Sequence, residues 1–451
     1  MSEAKQLKRT LGPLMLWGLG VGYVISGMYF GWNLGLEKGG TLGLAIATLF
    51  ITIMYVTFTF GYTELACAIP KAGGVFDYTH RALGKRLGFL AGMAQNVEFI
   101  FAPPAIAFAI AAYLNIFLPG LPILFTAIMA YFIFTAINII GVKTAASFEL
   151  VVTVVAVFGL LLFAGIALPH FEFKNLTHNA LPHGFAGSFA AIPFAIWFFM
   201  CIEGVANVAE ETINPQRNVL IGFGSAIATL VALVIFTFAT AVGVGGWESV
   251  VYTDATHTVT SDSPLPLAFA QIMSKGSIWF QVLGVVGLFG LVASFHGIIL
   301  AGGRATFEFG RIGNAPKVLG KIHGRFKTPA NALVFNMIVG IVALLTGKTA
   351  EIITIAAFGA LTLYILSMIS LLVLRKNEPG LERPFRVPLY PAFPLIALSI
   401  AAFSLVALVI YNWELSLIYA VILMVSYLWF LNSRRKEMSG LEETSNESID
   451  L

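Results

Sequence analysis

Glu203 is the residue of this chain best placed to do chemistry. It stands in SFAAIPFAIWFFMCIEGVANVAEE, residues 188–211, with apolar neighbours on both sides and Gly204 directly after it. A carboxylate in hydrocarbon surroundings is expensive, and chains keep one there to meet a cation, a proton or a polar neighbour. The bland alternative for Glu203 is a structural hydrogen bond to an adjacent helix. Glu98, in VEFIFAPPAIAFAI at 97–110, raises the same choice, its bland form being a protonated acid bonded within the bundle. His296 is one of few polar groups in its apolar run, where it could donate to a bound hydroxyl, titrate, or simply pack. Tyr29 and Trp32 follow Ser26-Gly27; aromatic faces hold ammonium groups with about 0.5–2 kcal/mol each, but also serve as packing.

Other reactive side chains point elsewhere. Glu210 and Glu211 with Arg217 lie at a helix end and read as gate or stabilising ion pairs. Cys67 and Cys201 fall in apolar stretches without a CxxC spacing, so neither a disulfide nor a metal site is expected. HExxH, GxxxxGK[ST], GxSxG and GxGxxG do not occur. No enzyme activity and no cofactor are expected, and a net charge of +3 is no nucleic-acid footprint.

The elements that must position these residues are membrane helices. The 451 residues are 58% hydrophobic and 11% charged, with mean hydropathy +0.88. Soluble chains carry about a quarter charged residues. About 20 apolar residues cross the hydrocarbon core, and twelve such runs lie near 11–36, 41–69, 87–117, 122–142, 149–169, 186–209, 218–246, 277–303, 330–347, 350–374, 388–412 and 415–433. No cleaved signal peptide is expected from MSEAKQLKRT. With the N-terminus placed in the cytoplasm, all but four of the 26 Lys and Arg fall on the inner side. Only Lys38, Lys174, Lys275 and Lys348 remain outside. That sorting obeys the positive-inside rule and predicts both termini in the cytoplasm.

Two of these spans carry interruption signals. Span 1, GLGVGYVISGMYFGWNLGL at 18–36, is glycine-rich with Ser26-Gly27 near its centre; span 6 carries Glu203-Gly204. Broken helices about five spans apart are how many secondary transporters build a midplane site. Glycines used only for close packing are the competing explanation.

On these residues the chain resembles the amino acid–polyamine–organocation permeases along nearly its whole length. Pro70-Lys71-Ala72-Gly73-Gly74 through Tyr78, Gly84 and Gly88-Phe89 is similar to the family's loop after helix 2, to which Glu64, Asp77 and Arg81 also belong. Ala209-Glu210-Glu211 with Asn214-Pro215-Gln216-Arg217 is similar to the close of helix 6. Arg304, Arg311, Gly313, Pro316 and Thr328-Pro329, then RPFRVPLYP at 383–391, follow the family's order. The resemblance implies an all-α membrane protein of two inverted five-helix repeats, about 11–169 and 186–374, with helices 1 and 6 broken. Two extra helices at about 388–433 follow, between a cytoplasmic N-terminus at 1–10 and a cytoplasmic tail at 434–451. An inner-membrane location is expected.

ISGMYFGWN at 25–33, VEFIFAPPAIAFAI and CIEGVANVAEE at 201–211 are most similar to ethanolamine permeases. Amino-acid carriers of the family usually have Gly-Ser-Gly at the helix 1 break; here Ser26, Gly27 and Met28 stand there. The Met28 side chain crowds a place where glycine would let a carboxylate approach. The helix 5 lysine of some proton-coupled relatives is replaced by Ala156. The resemblance puts an aromatic gate at Trp197, six residues before Glu203, and adds Cys201 and Gly204 to the site. The expected cargo is ethanolamine or a similar small amine, with an amino-acid permease as the alternative. The partners expected are the bilayer and a coupling proton or sodium ion, or no coupling ion at all.

Overall fold

The computed structural model describes residues 9–71, 73–141 and 145–447, without the side chains of 145, 146, 210 and 434–447. Lys143, the Glu210 side chain and those of the acidic tail therefore lie outside the described residues. Among the described residues the regular structure is helical, apart from two isolated bridges, Leu11 with Thr212 and Tyr252 with Thr260.

The helices are α1 (Pro13–Val24), α2 (Ser26–Tyr29), α3 (Asn33–Ala68), α4 (Val75–Leu83), α5 (Lys85–Phe117), α6 (Ile123–Ile140) and α7 (Ala145–Ala167). Then come α8 (Phe173–Thr177), α9 (Ala186–Ala190), α10 (Ile192–Trp197) and a 3₁₀ segment at Ile202–Glu211. The remainder are α11 (Pro215–Gly245), α12 (Glu248–Val251), α13 (Pro264–Ala270), α14 (Ile278–Arg311), α15 (Ala330–Leu344), α16 (Thr349–Asn377), α17 (Ala392–Tyr411) and α18 (Trp413–Glu447). Nine helices among the described residues are long and apolar enough to cross a bilayer, and α1 and α15 are shorter apolar helices. The outward faces carry Leu49, Phe158, Ile235, Phe236, Val342 and Ile410, all exposed. Large apolar side chains pointing outward on so many helices suit a lipid solvent.

Proline and glycine set several boundaries. Pro215 opens α11, where a missing N–H costs nothing, and Gly246 at φ +83 closes it. The expected gap between the first two spans is a single residue. Gly40, at φ +65, breaks the helix within α3, and a Cβ there would lie 2.3 Å from Pro182. At the far end, α18 continues helical to Glu447, through residues expected to form the tail. Its Glu, Lys, Arg and Met side chains retain good helix propensity beyond the apolar stretch.

Both expected interruptions occur, displaced from their predicted positions. Span 1 turns at Ile25 and then opens at Phe30 (φ −162, ψ 173) and Gly31 (φ +86), beyond Ser26-Gly27. Span 6 ends its α-helical part at Trp197 and passes through Cys201, at φ +72, into the 3₁₀ segment. The break thus precedes Glu203 and places it in the first turn of the new segment.

Candidate functional site

Glu203 and Glu98 come together behind the span 6 break. Both are 0% exposed. Their carboxyl groups are within hydrogen-bond reach of each other. The left-handed turn at Cys201 frees its amide, which donates to Glu98 Oε1 at 3.0 Å. Tyr364 on α16 donates to Glu203 Oε2 at 3.1 Å and lies 3.5 Å from Glu98 Oε1. Behind it, the Tyr55 hydroxyl on α3 is 2.9 Å from that of Tyr364. Apart from the neighbouring carboxyl, Glu98 Oε2 and Glu203 Oε1 receive no hydrogen bond among the described residues. Gly359 lets α16 close on α5 here: a Cβ would stand 2.6 Å from the Ala94 carbonyl and 2.9 Å from the Glu98 amide.

The span 1 break packs against the same place. Gly27 lies under Trp197, whose carbonyl oxygen would be 2.4 Å from an added Cβ. Trp197 Nε1 donates to the Phe30 carbonyl at 3.0 Å, joining the two interruptions. Ser26 N–H, released from the helix ladder, donates to Ser294 Oγ on α14 at 2.9 Å. Met28 is fully buried, and its amide is bonded to the Ile25 carbonyl. Gly204 packs on Tyr23 and Phe99.

Three expected residues take other positions. Tyr29 points to α7, donating to the Ala156 carbonyl at 2.7 Å, and its ring fills the space left by Gly287 and Gly290. His296 faces Glu149 of α7, its Nδ1 3.6 Å from Oε2, instead of the acid pair. Glu211 pairs with Arg304 of α14 at 3.1 Å instead of Arg217, which is exposed and forms no ion pair among the described residues. Tyr55, Tyr364 and Glu149 were not anticipated. A tyrosine inside an apolar run was the only signal for the first two, and a carboxyl just inside a span was the signal for the third.

Hydrogen bonds tie the chain together beyond each end of the broken spans. At one end, Thr10 and Leu11 amides donate to the Glu211 carbonyl at 2.9 and 3.1 Å, and Ile213 N–H returns to Leu11. At the other, Asn33 Nδ2 donates to the carbonyls of Ser261 and Val250 at 2.8 and 3.3 Å. In the described conformation the acid pair is fully buried.

Comparison with known proteins agrees with this architecture. Residues 11–429 match the family model described as amino acid permease. An uncharacterized transporter of Rhizobium meliloti is 27% identical over 450 residues, 96% of this chain and 93% of the relative. The branched-chain amino acid permease of Bacillus subtilis is 25% identical over 460 residues, covering 96% and 95%. The methylthioribose transporter of the same organism is 26% identical over 461 residues, covering 97% and 96%. With the matched segment spanning nearly the whole helical bundle, the chain belongs to the amino acid permease family of multi-pass membrane transporters.

Proposed function

We propose that this permease carries a small cationic amine, ethanolamine or a close analogue, by alternating access, with Glu98 and Glu203 holding its ammonium group. One observation supports the reading: two carboxyl groups side by side, each with one oxygen that receives no donor beyond the neighbouring carboxyl, closed away from water beside a helix break. An ammonium brings three N–H donors and a compact positive charge, which is what that pair lacks. Stripped of its water, such a cation is stable only against a negative partner. Tyr364 would orient Glu203, and the breaks around Ser26, Gly27, Met28, Trp197, Cys201 and Gly204 would let the site open. Glu211 with Arg304 would close one end.

The reading includes twelve spans, two inverted five-helix repeats at about 11–169 and 186–374, two further helices, and both termini in the cytoplasm of an inner membrane. Inward movement of one positive charge gains about 2.3 kcal/mol per 100 mV. At about 1.4 kcal/mol per decade, that concentrates the amine roughly fiftyfold without any coupling ion.

An amino-acid substrate is the second reading, favoured by the permease names of the relatives. Against it, two of the amides that would meet a substrate carboxylate at the span 1 break are already used, Ser26 by Ser294 and Met28 by Ile25. Counterflow of labelled ethanolamine in proteoliposomes, competed by alanine, lysine and choline, separates the two. Competition by unlabelled ethanolamine at lower concentration than alanine is the expected result. Stronger inhibition by alanine would transfer the assignment to amino acids.

A further inference from the structure

A cavity of about 270 Å³ faces outward between α5, α14, α15 and α18, and neither Glu98 nor Glu203 lines it. On α5 its wall is Phe89, Met93, Asn96 and Ile100, spaced as one face of a helix. Those residues cover roughly 16 Å at about 1.5 Å per residue, the depth of one leaflet of a hydrocarbon core ~30 Å thick. Phe335 of α15 forms one lip, Val425 and Trp429 of α18 the other, and all three are exposed. The slot therefore opens sideways, toward lipid. Asn96 and Thr306, polar groups in its wall, are bonded to each other at 2.8 Å and ask nothing of a guest.

One end of this slot is basic. Lys85 and Arg86 stand one turn before Phe89 on α5, so they continue the lining face beyond it. Lys317 follows Pro316 in the loop after α14, where Pro316 and Leu319 line the cavity. All three cations are exposed, and none forms an ion pair among the described residues. Their neighbour Arg311, by contrast, is matched by Glu308 at 2.7 Å. The sequence of α18 also runs on from Trp429 into Arg434-Arg435-Lys436. Between the cations and the slot lies a ring cluster separate from the main core. Phe89 stacks on Phe430 at 4.4 Å and stands 5.6 Å from Phe309. Aromatic rings at such a level suit the boundary between headgroups and chains.

We propose that this slot is a binding site for an anionic phospholipid, one acyl chain lying along α5 and the phosphate meeting Lys85, Arg86 and Lys317. Charge complementarity selects the guest. Three unmatched cations at the mouth of a leaflet-deep apolar slot need a negative head joined to a long apolar tail. A zwitterionic lipid would bring its own cation to the same place, and a small soluble anion would leave the slot unfilled. Basic pockets between membrane helices hold anionic headgroups for this reason. The site does not depend on which solute is carried. Its guest would nonetheless press on both helices of the transport machinery, since Asn96 is two residues from Glu98 on α5 and Thr306 two from Arg304 on α14.

The test uses delipidated full-length protein in detergent, titrated with phosphatidylglycerol or with phosphatidylcholine of the same chains and read by native mass spectrometry. The first phosphatidylglycerol should bind about tenfold or more tighter than the first phosphatidylcholine. At about 1 kcal/mol per basic side chain and 1.4 kcal/mol per decade, the variant Lys85→Gln/Arg86→Gln/Lys317→Gln should weaken it on the order of a hundredfold. Removing three exposed cations elsewhere, in Arg325→Gln/Lys327→Gln/Lys376→Gln, should change it by less than about threefold, because charges beyond a Debye length are screened. Ser426→Trp, which fills the slot and keeps every charge, should also remove the first lipid. Should Ser426→Trp fail to insert, the two charge variants decide the question between them. Equal binding of the two lipids, or equal losses in the two triple variants, would overturn the proposal. So would thermal stabilisation by glycerol 3-phosphate matching that by phosphatidylglycerol, which would mark a soluble-anion site. A lipid-free dimer that Ser426→Trp splits would give this face to a second copy of the chain and overturn it too.

Discussion

Two regions of this protein bury acids to the same degree and treat them in opposite ways. Glu64, near the end of α3, is 0% exposed, like Glu98 and Glu203. Its two oxygens receive Arg375 Nε and Nη2 and the Val387 amide, each at 2.7 Å, with Arg383 Nε at 3.3 Å. Arg375 also stacks over Tyr390 at 4.5 Å. The acid there is a clamp, saturated by donors from the chain. At the span 6 break Tyr364 and the Cys201 amide donate to the two carboxyl groups, no arginine or lysine pairs with either among the described residues, and one oxygen of each acid receives no donor beyond its neighbour. Burial alone therefore does not set the two apart; the deficit of donors does, and it is the deficit that the proposed amine would fill.

The largest way to break that contrast is Glu203→Gln, which removes the proposed negative partner of a desolvated cation. Truncations of this kind cost about 2–5 kcal/mol, so amine affinity should fall by roughly 30-fold or more with the unfolding midpoint nearly kept. Retained affinity in a direct binding assay would move charge recognition elsewhere. Glu64→Gln should do the reverse, costing about 3 kcal/mol of stability by leaving two arginines without their acid. It should leave amine affinity within about twofold in whatever fraction folds; thermal unfolding in detergent reads the first effect and binding the second. Tyr364→Phe sharpens the comparison by taking one donor from a pair already short of them. A hydrogen bond to a charged group is worth about 1.5–3 kcal/mol, and a loss of affinity of about tenfold or more is expected. The smallest effect belongs to the exposed pair of Arg81 and Glu378, 2.6 Å apart. Hydrogen bonding to Arg81 holds the Glu378 carboxyl below its usual range. Its contribution is present above the unfolded value of about 4.3 and is lost as pH falls through the lower folded value. Glu378→Gln should flatten that acid limb of stability by less than about 1 kcal/mol, because solvent screens the pair.

What could be read from the residues was depth along the chain. The glycines of 18–36 and the acid of 188–211 marked the two spans that break, because a helix in lipid gives up its backbone bonds only where something replaces them. Rotation about a helix axis and the identity of the facing neighbour were not legible. Both Tyr29 and Glu203 are candidates by depth, with Glu203 the first of them, yet Tyr29 turns to Ala156 while Glu203 meets Glu98. For His296 the residues left three roles open, donating to a bound hydroxyl, titrating or packing, and its observed neighbour is an acid on α7. Arg304, far from Glu211 in sequence, displaces Arg217 as its partner because α14 passes the end of the 3₁₀ segment. The exact break points moved for a local reason. A left-handed Cys201 and an extended Phe30 carry the turn, and neither residue type advertises that conformation.

The indole of Trp197 bonded to the Phe30 carbonyl has a mechanical consequence. It rivets one discontinuous helix to the other at their weakest points, so neither can swing without loading its counterpart. Under the proposed reading, a solute held by the acid pair would thereby pull on the span 1 break as well, and two separate hinges would behave as a single lever.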